Sequence, residues 1–131
     1  MSLERRRRVL VVEDEVLVAM LVEDMLAELG CEVAAVSSHL AEGLELARSQ
    51  EIDFAILDVN VNGQPSFAIA EILRSRQIPF VFATGYGEKA LGGAYVGSVI
   101  LQKPFQVDDL ARAIAELAMS DLQAAPSRPV D

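Results

Sequence analysis

The sequence contains no tryptophan, one cysteine (Cys31) and one histidine (His39). A lone cysteine cannot form an intramolecular disulfide, and because Cys31 lies within an apolar pattern, we interpret it as a buried thiol of a cytoplasmic protein. A lone histidine excludes histidine-rich zinc sites and argues against a histidine-dependent catalytic triad. These scarce residues therefore exclude several classes of catalytic site.

Long hydrophobic runs are also missing. No stretch approaches the roughly 18 consecutive apolar residues that a membrane-spanning helix needs. The arginines at positions 5 to 8 are not followed by a hydrophobic segment that ends in a small-residue cleavage site. We therefore expect neither export nor contact with a membrane.

Positive charge is in short supply, with 11 lysines and arginines against 20 aspartates and glutamates and a net charge of −9. This balance argues against direct binding to nucleic acid or to anionic lipid. The four consecutive arginines precede the first apolar run, and we interpret them as a solvated flank. The expected complement of so acidic a chain is a metal cation or a positively charged protein surface.

The 131 residues, 52% hydrophobic and 24% charged, suit one globular domain. We expect a basic flank over residues 1–6 and one folded domain over residues 7–119. Residues 120–131 include two prolines and end without an apolar period, so we expect a disordered tail there.

Short β-branched apolar runs alternate with segments of helical period, which predicts an α/β fold with a doubly wound, five-stranded parallel sheet. The predicted strands are residues 9–12, 31–36, 54–57, 80–83 and 99–101. Ser66 is expected to cap the third helix. Five glycines between residues 85 and 97 predict that the fourth helix is short or mobile.

Polar side chains follow four of these strands. Glu13 and Asp14 follow the first, Asp58 the third, Thr84 the fourth and Lys103 the fifth. Each alone has an ordinary interpretation, as a helix cap, a turn residue, a loop hydroxyl or a solvated charge. Because open parallel sheets bind ligands at the carboxyl ends of their strands, together they predict a functional site.

Three carboxylates in one place repel one another, and a hard divalent cation with oxygen ligands relieves that repulsion. Mg²⁺ suits a small set of carboxylates with a backbone carbonyl and retained waters. One carboxylate can then act as a nucleophile toward phosphorus, while Lys103 and Thr84 contact the phosphoryl oxygens. The predicted chemistry is magnesium-dependent phosphoryl transfer.

Four segments resemble, in order and spacing, the receiver domains of bacterial two-component response regulators: VLVVEDE at 9–15, ILDVN at 56–60, TG at 84–85 and KPF at 103–105. The resemblance implies a flavodoxin-like receiver fold over residues 7–119. It also implies that Asp58 is the phosphoacceptor, that Thr84 hydrogen-bonds the phosphoryl oxygen and that Lys103 pairs with the phosphoryl group.

The resemblance also implies a ligand set for Mg²⁺. Asp14 would be the direct ligand, Glu13 would act mostly through water, Asp58 would belong to the same set, and Asn60 would contribute its backbone carbonyl. The Lys103–Pro104 bond is expected to be cis.

The segment FATGYG at 82–87 resembles the FAT-GUY receivers, which often stand alone and often have an altered fourth helix. Two positions depart from the usual receiver pattern. Ile100 stands where a switch aromatic is usual, and we hypothesise that Tyr86 replaces it, the alternative being a tyrosine simply packed on the surface. Asn62 stands where a proline is common, which we expect to alter the stiffness of the loop more than its chemistry.

The function that the resemblance implies is that of a single-domain response regulator and not of an enzyme, beyond self-phosphorylation and slow self-dephosphorylation. Its implied partners are a sensor histidine kinase or phosphotransfer protein and a downstream protein, and a phosphorylation-dependent homodimer is left open. One alternative is a haloacid-dehalogenase-like phosphohydrolase with an aspartyl-phosphate intermediate, although Asn60 replaces the second aspartate of those enzymes. The other is a pseudo-receiver that is never phosphorylated.

Overall fold

The computed structural model describes residues 6–86, 91, 93–95 and 98–124. Its main sheet has five parallel strands in the order β2-β1-β3-β6-β7, and a separate antiparallel hairpin is formed by β4 and β5. The strands are β1 (Arg8–Val12), β2 (Glu32–Ser37), β3 (Phe54–Asp58), β4 (Asn60–Val61), β5 (Gln64–Pro65), β6 (Phe80–Thr84) and β7 (Ile100–Gln102). The predicted five-stranded parallel sheet is confirmed.

Helices cover both faces of the sheet. The α-helices are α1 (Val16–Glu28), α2 (Leu40–Ser49), α3 (Phe67–Ser75) and α4 (Val107–Ala124). Alternate residues of β1 point to opposite faces, so Leu10 packs in the core under α2 and α3, whereas Val11 packs in the core under α1 and α4. Burial on both faces explains why the strands read as continuous apolar runs. The predicted doubly wound sheet is confirmed.

The connection between β6 and β7 contains one turn of 3₁₀ helix, Gly93–Tyr95, and no α-helix among the residues that the structure describes there. This agrees with the predicted weak fourth helix. Residues 87–90, 92 and 96–97, on which the expected mobility also depends, lie outside the described residues.

Tyr95, in this connection, is buried to 4% exposure. Its ring stacks on Phe67 with the centroids 5.0 Å apart, meets the edge of Phe82 at 5.3 Å and lies 4.7 Å below the Arg74 guanidinium. The hydroxyl donates a hydrogen bond to Glu71 on α3. Burial and the Glu71 carboxylate raise the pKa of Tyr95 to about 12, so the hydroxyl keeps its proton as a donor. Tyr95 therefore fastens the connection to α3.

Tyr95→Phe is expected to lower the free energy of unfolding by about 1 kcal/mol, because it removes a hydrogen bond to a partly exposed carboxylate and keeps the ring contacts. The matched control is Tyr86→Phe, since Tyr86 is 82% exposed and its hydroxyl change should leave stability unchanged. Urea unfolding of the two variants measures the difference. Equal urea midpoints for the two variants would show that the Tyr95 hydroxyl does not contribute to stability.

The expected boundaries of the domain can be compared with the structure only in part. Residues 1–5 of the expected basic flank and residues 125–131 of the expected tail lie outside the described residues. Helix α4 continues to Ala124, five residues beyond the expected boundary at 119. Within the described chain, none of the helices combines the length and the apolar character needed to cross a membrane.

Candidate functional site

Three acidic side chains meet at the carboxyl edge of the sheet. Glu13 and Asp14 follow β1, Asp58 ends β3, and one carboxylate oxygen from each lies within 4.8 Å of the others. Glu13 is 4% and Asp58 8% exposed. The neighbouring positions of β1 and β3 in the sheet bring these residues together, as the sequence predicts.

Lys103 lies directly against this acidic cluster. Its Nζ is 2.8 Å from Oε1 of Glu13 and 3.3 Å from Oδ2 of Asp58. The backbone N–H of Lys103 donates to the carbonyl of Thr84 at 2.9 Å, which links the ends of β6 and β7. The Lys103–Pro104 peptide bond is cis, as expected. The lysine therefore bridges two of the three carboxylates.

Burial sets the charge state of the site. Burial, followed by the nearby Glu13 carboxylate, raises the pKa of Asp58 to about 7, although the Lys103 ammonium opposes this rise. Burial also acts to lower the pKa of Lys103, but its hydrogen bond to Glu13 and the negative charges of Asp58 and Glu13 outweigh it, and the pKa lies above its usual value. The lysine therefore stays charged while Asp58 gains and loses its proton near neutral pH.

Asp58 faces an open cleft of about 470 Å³ that is also lined by Asn60, Phe67, Thr84 and Lys103. Thr84 is 3% exposed, and its Oγ1 accepts a hydrogen bond from the backbone N–H of Tyr86 at 3.0 Å. The side-chain oxygen of Asn60 accepts from the N–H of Gly63 at 2.8 Å. The cleft thus unites the predicted acceptor, hydroxyl and ammonium groups.

The two switch candidates lie apart. Tyr86 lines the mouth of the cleft and is exposed, whereas Ile100 pairs with Phe82 in the sheet and packs into the core that contains Tyr95. That core also contains the buried ring of Tyr95, a residue that the sequence reasoning missed. The sequence offered one signal that could have pointed to Tyr95: the chain has two tyrosines, and both lie in the glycine-rich connection.

Ser66 is a second contributor that the sequence reasoning missed. It precedes α3, but its side chain makes no hydrogen bond to the helix start, contrary to the expected cap. Its Oγ donates to the backbone carbonyl of Asp58 at 2.6 Å, and its N–H donates to the carbonyl of Val59 at 2.9 Å. Ser66 therefore fixes the backbone that carries Asp58.

The donor set at this edge is entirely oxygen, from carboxylates, which suits a hard divalent cation and not a soft metal. An open α/β sheet with such a cluster, a buried carboxylate and a lysine at its carboxyl edge is typical of the receiver class of signalling domain. Residues 9–115 match the family model of the response regulator receiver domain, and the chain belongs to this family.

Two curated relatives are longer than this chain. The transcriptional regulatory protein PdtaR of Mycobacterium tuberculosis is 36% identical over an alignment of 121 positions, and the match covers 87% of this chain and 57% of PdtaR. The phyllosphere-induced regulator PhyR of Methylorubrum extorquens is 28% identical over 82% of this chain and 42% of PhyR. The chain thus spans about half the length of these curated relatives.

Among solved structures, that of SdrG from Sphingomonas melonis Fr1 is 40% identical, with a TM-score of 0.79, and the match covers 86% of this chain and 97% of SdrG. The response regulator PhyR from Brucella abortus is 28% identical, with a TM-score of 0.80, over 95% of this chain and 53% of PhyR. The receiver fold therefore occurs among its relatives both nearly alone and as part of longer proteins.

Proposed function

We propose that Asp58 accepts a phosphoryl group from the phosphohistidine of a sensor kinase or a phosphotransfer protein, in a reaction that needs Mg²⁺. The observation that carries this proposal is the convergence of three carboxylates and Lys103 around Asp58 at one open cleft. An oxygen of Asp58 would form the bond to phosphorus while the bond between phosphorus and the donor imidazole breaks, with its electron pair leaving on the imidazole nitrogen.

The residues around Asp58 fit a bound Mg²⁺. Asp14 and Asp58 would hold it directly, Glu13 would act through water, and Asn60 would add its backbone carbonyl. When bound, Mg²⁺ would neutralise the charge that gathers on the phosphoryl oxygens. Only the ionised form of Asp58 can attack phosphorus, and its pKa of about 7 in the cation-free protein leaves much of it protonated at neutral pH.

Lys103 and Thr84 would bind the transferred group. The Lys103 Nζ already lies 3.3 Å from an oxygen of Asp58, so it would shift from the Asp58 carboxylate to the phosphoryl oxygens within the cleft. The Thr84 hydroxyl lines the same cleft and has a proton to donate to a phosphoryl oxygen. The new negative charge would draw both groups inward and bias the neighbouring surface.

We propose that the phosphorylated domain signals by contacting a protein partner or by passing its phosphoryl group on in a phosphorelay. We also propose that it acts in the cytoplasm and does not contact nucleic acid directly. The net charge of −9 supports a protein partner over nucleic acid, and the buried Cys31 thiol suits a reducing compartment. The match to SdrG, which covers 97% of that solved chain, supports a mode of action through the surface of the receiver domain itself. A phosphorylation-dependent homodimer remains part of this proposal.

The site does not favour a phosphohydrolase. Those enzymes use a second aspartate as general acid and base, and the corresponding Asn60 carries an amide that cannot fill this role. The third possibility, a pseudo-receiver, predicts that Asp58 takes up no phosphoryl group. The next experiment separates it from the proposal.

Incubation of the purified chain with acetyl phosphate and Mg²⁺, followed by intact-mass measurement, is expected to show the gain of one phosphoryl group. Replacing Mg²⁺ with a chelator should prevent the gain, and so should Asp58→Ala. The matched control is Asp24→Asn, which neutralises an exposed carboxylate on α1 and should gain as the wild type does. No gain in the wild type, or a gain that survives Asp58→Ala, would overturn the proposal.

A further inference from the structure

The β4–β5 hairpin stands on a fixed base beside Asp58. Val61 is fully buried in the core, and Ser66 closes the base through its hydrogen bonds to the carbonyls of Asp58 and Val59. At the tip, Asn62 and Gly63 have φ angles of 53° and 83°. A two-residue hairpin loop with both φ angles positive is the turn that Asn-Gly favours. The tip is therefore held in a defined position.

The tip reaches two other loops. The backbone N–H of Asn62 donates to Oδ2 of Asp14 at 2.7 Å, and its side-chain amide donates to the carbonyl of Ser38 at 2.8 Å. Asp14 follows β1 and Ser38 follows β2, so this one residue ties together the loops after three adjacent strands. The hydrogen bond from the Asn62 side-chain amide to Ser38 fixes the position of the Asn62 backbone N–H relative to Asp14.

We propose that Asn62 is a positioning residue for the cation site, acting through Asp14; this rests on the proposed function. A hydrogen bond to one oxygen of a carboxylate fixes its plane and leaves the other oxygen for the cation. Mg²⁺ demands near-ideal octahedral geometry, so it gains from a ligand that is already oriented.

This role differs from the expectation that Asn62, in place of the more usual proline, alters the stiffness of the loop more than its chemistry. Proline has no backbone N–H and could not donate to Asp14. Asparagine supplies that donor and tolerates the positive φ that the turn requires. The departure from the family pattern therefore adds a contact at the acidic cluster.

The test compares Asn62→Gly with the wild type. Glycine keeps the N–H and the positive φ but removes the amide that anchors the tip to Ser38. The matched control is Gln77→Gly, because Gln77 is the other non-glycine residue with positive φ in the part of the chain that the structure describes, with φ 61°, and it lies beyond the end of α3. Mg²⁺ and Ca²⁺ are titrated by calorimetry into each protein, and urea unfolding is recorded in parallel.

Asn62→Gly is expected to weaken Mg²⁺ binding severalfold and by no more than about tenfold, because the N–H that meets Asp14 stays but is less firmly positioned, and about tenfold is the smaller loss seen when a partner of a metal ligand is itself removed. Ca²⁺ binding should weaken less, because Ca²⁺ accepts flexible geometry, so the preference for Mg²⁺ over Ca²⁺ should fall. Gln77→Gly should bind both cations as the wild type does.

The outcomes separate this inference from the proposed function. If the wild type binds no Mg²⁺, the proposed function fails. If the wild type binds Mg²⁺ and Asn62→Gly binds it equally well, only the positioning role is overturned. A weaker affinity with an unchanged ratio of Mg²⁺ to Ca²⁺ affinity also overturns the role, because a general loosening of the fold would produce that result.

Discussion

Asp58→Asn is expected to stabilise the fold by on the order of a few kcal/mol above pH 7 without divalent cations, and to abolish phosphoryl uptake. Asp58 is 8% exposed and lies beside Glu13, so the folded protein opposes its ionisation. Asparagine has nearly the same size and no charge, and it removes this cost together with the nucleophile. The site would thus gain stability as it loses function, as is common where a site is built from opposed charges.

The sign of the effect depends on pH. The Asp58 carboxyl ionises at about pH 4 in the unfolded chain but has a pKa of about 7 in the fold. Between these values the folded protein keeps a proton that the unfolded chain has lost, so wild-type stability falls as pH rises, and the full cost applies above the higher value. The advantage of asparagine should therefore be small at low pH, grow through this window and then level off.

Urea unfolding in chelator across this pH range measures the effect. The control Asp24→Asn removes an exposed carboxylate on the same chain and should show no comparable pH-dependent gain. Added Mg²⁺ should shrink the advantage of Asp58→Asn, because the cation compensates the wild-type charge. A difference between variant and wild type that is constant with pH would contradict this account.

Lys103→Met is expected to destabilise the fold by about 3–5 kcal/mol at neutral pH, since removing one partner leaves buried charge uncompensated. The Lys103 Nζ contacts Glu13 at 2.8 Å and Asp58 at 3.3 Å, and the side chain of Glu13 is 4% exposed. Methionine keeps most of the length of the lysine side chain, so the loss reports on the ammonium group. Urea unfolding in chelator is the measurement.

The matched control is Arg48→Met, because Arg48 pairs with Glu45 at 3.5 Å where both side chains are more than half exposed, and such pairs contribute little. Adding Asp58→Asn to Lys103→Met should restore part of the lost stability, because one of the two orphaned carboxylates is gone. If Lys103→Met unfolds at the same urea concentration as the wild type, the lysine does not hold the cluster together.

Much of the sheet could be predicted because its strands are buried on both faces. Such a strand reads as an uninterrupted apolar run, and the run at 54–57 differs from the observed Phe54–Asp58 by one residue. The meeting of Glu13, Asp14 and Asp58 could be predicted for a related reason. Once parallel strands are placed, their carboxyl ends share an edge, so residues far apart in sequence become neighbours.

The contacts that the sequence did not reveal depend on long-range packing. The dipeptide Asn62-Gly63 is typical of a turn, but neither residue indicates that the turn meets Asp14 and Ser38. Ser66 resembles a helix cap, yet its hydroxyl donates a hydrogen bond to the buried carbonyl of Asp58, because an unpaired buried carbonyl is costly. Tyr95 lies among glycines, and its burial arises from the surface of α3.

The strand order also bears on how the molecule assembles. The Asp58 strand β3 lies at the centre of the sheet, and the Lys103–Glu13 contact closes a loop of 90 residues. The cleft therefore depends on contacts between distant parts of the chain, and it is complete only when the segments that carry Glu13, Asp58 and Lys103 have come together. A nascent or cleaved chain that lacks β7 would have no Lys103 at Asp58. Under the proposed function, we expect only completely folded molecules to accept a phosphoryl group.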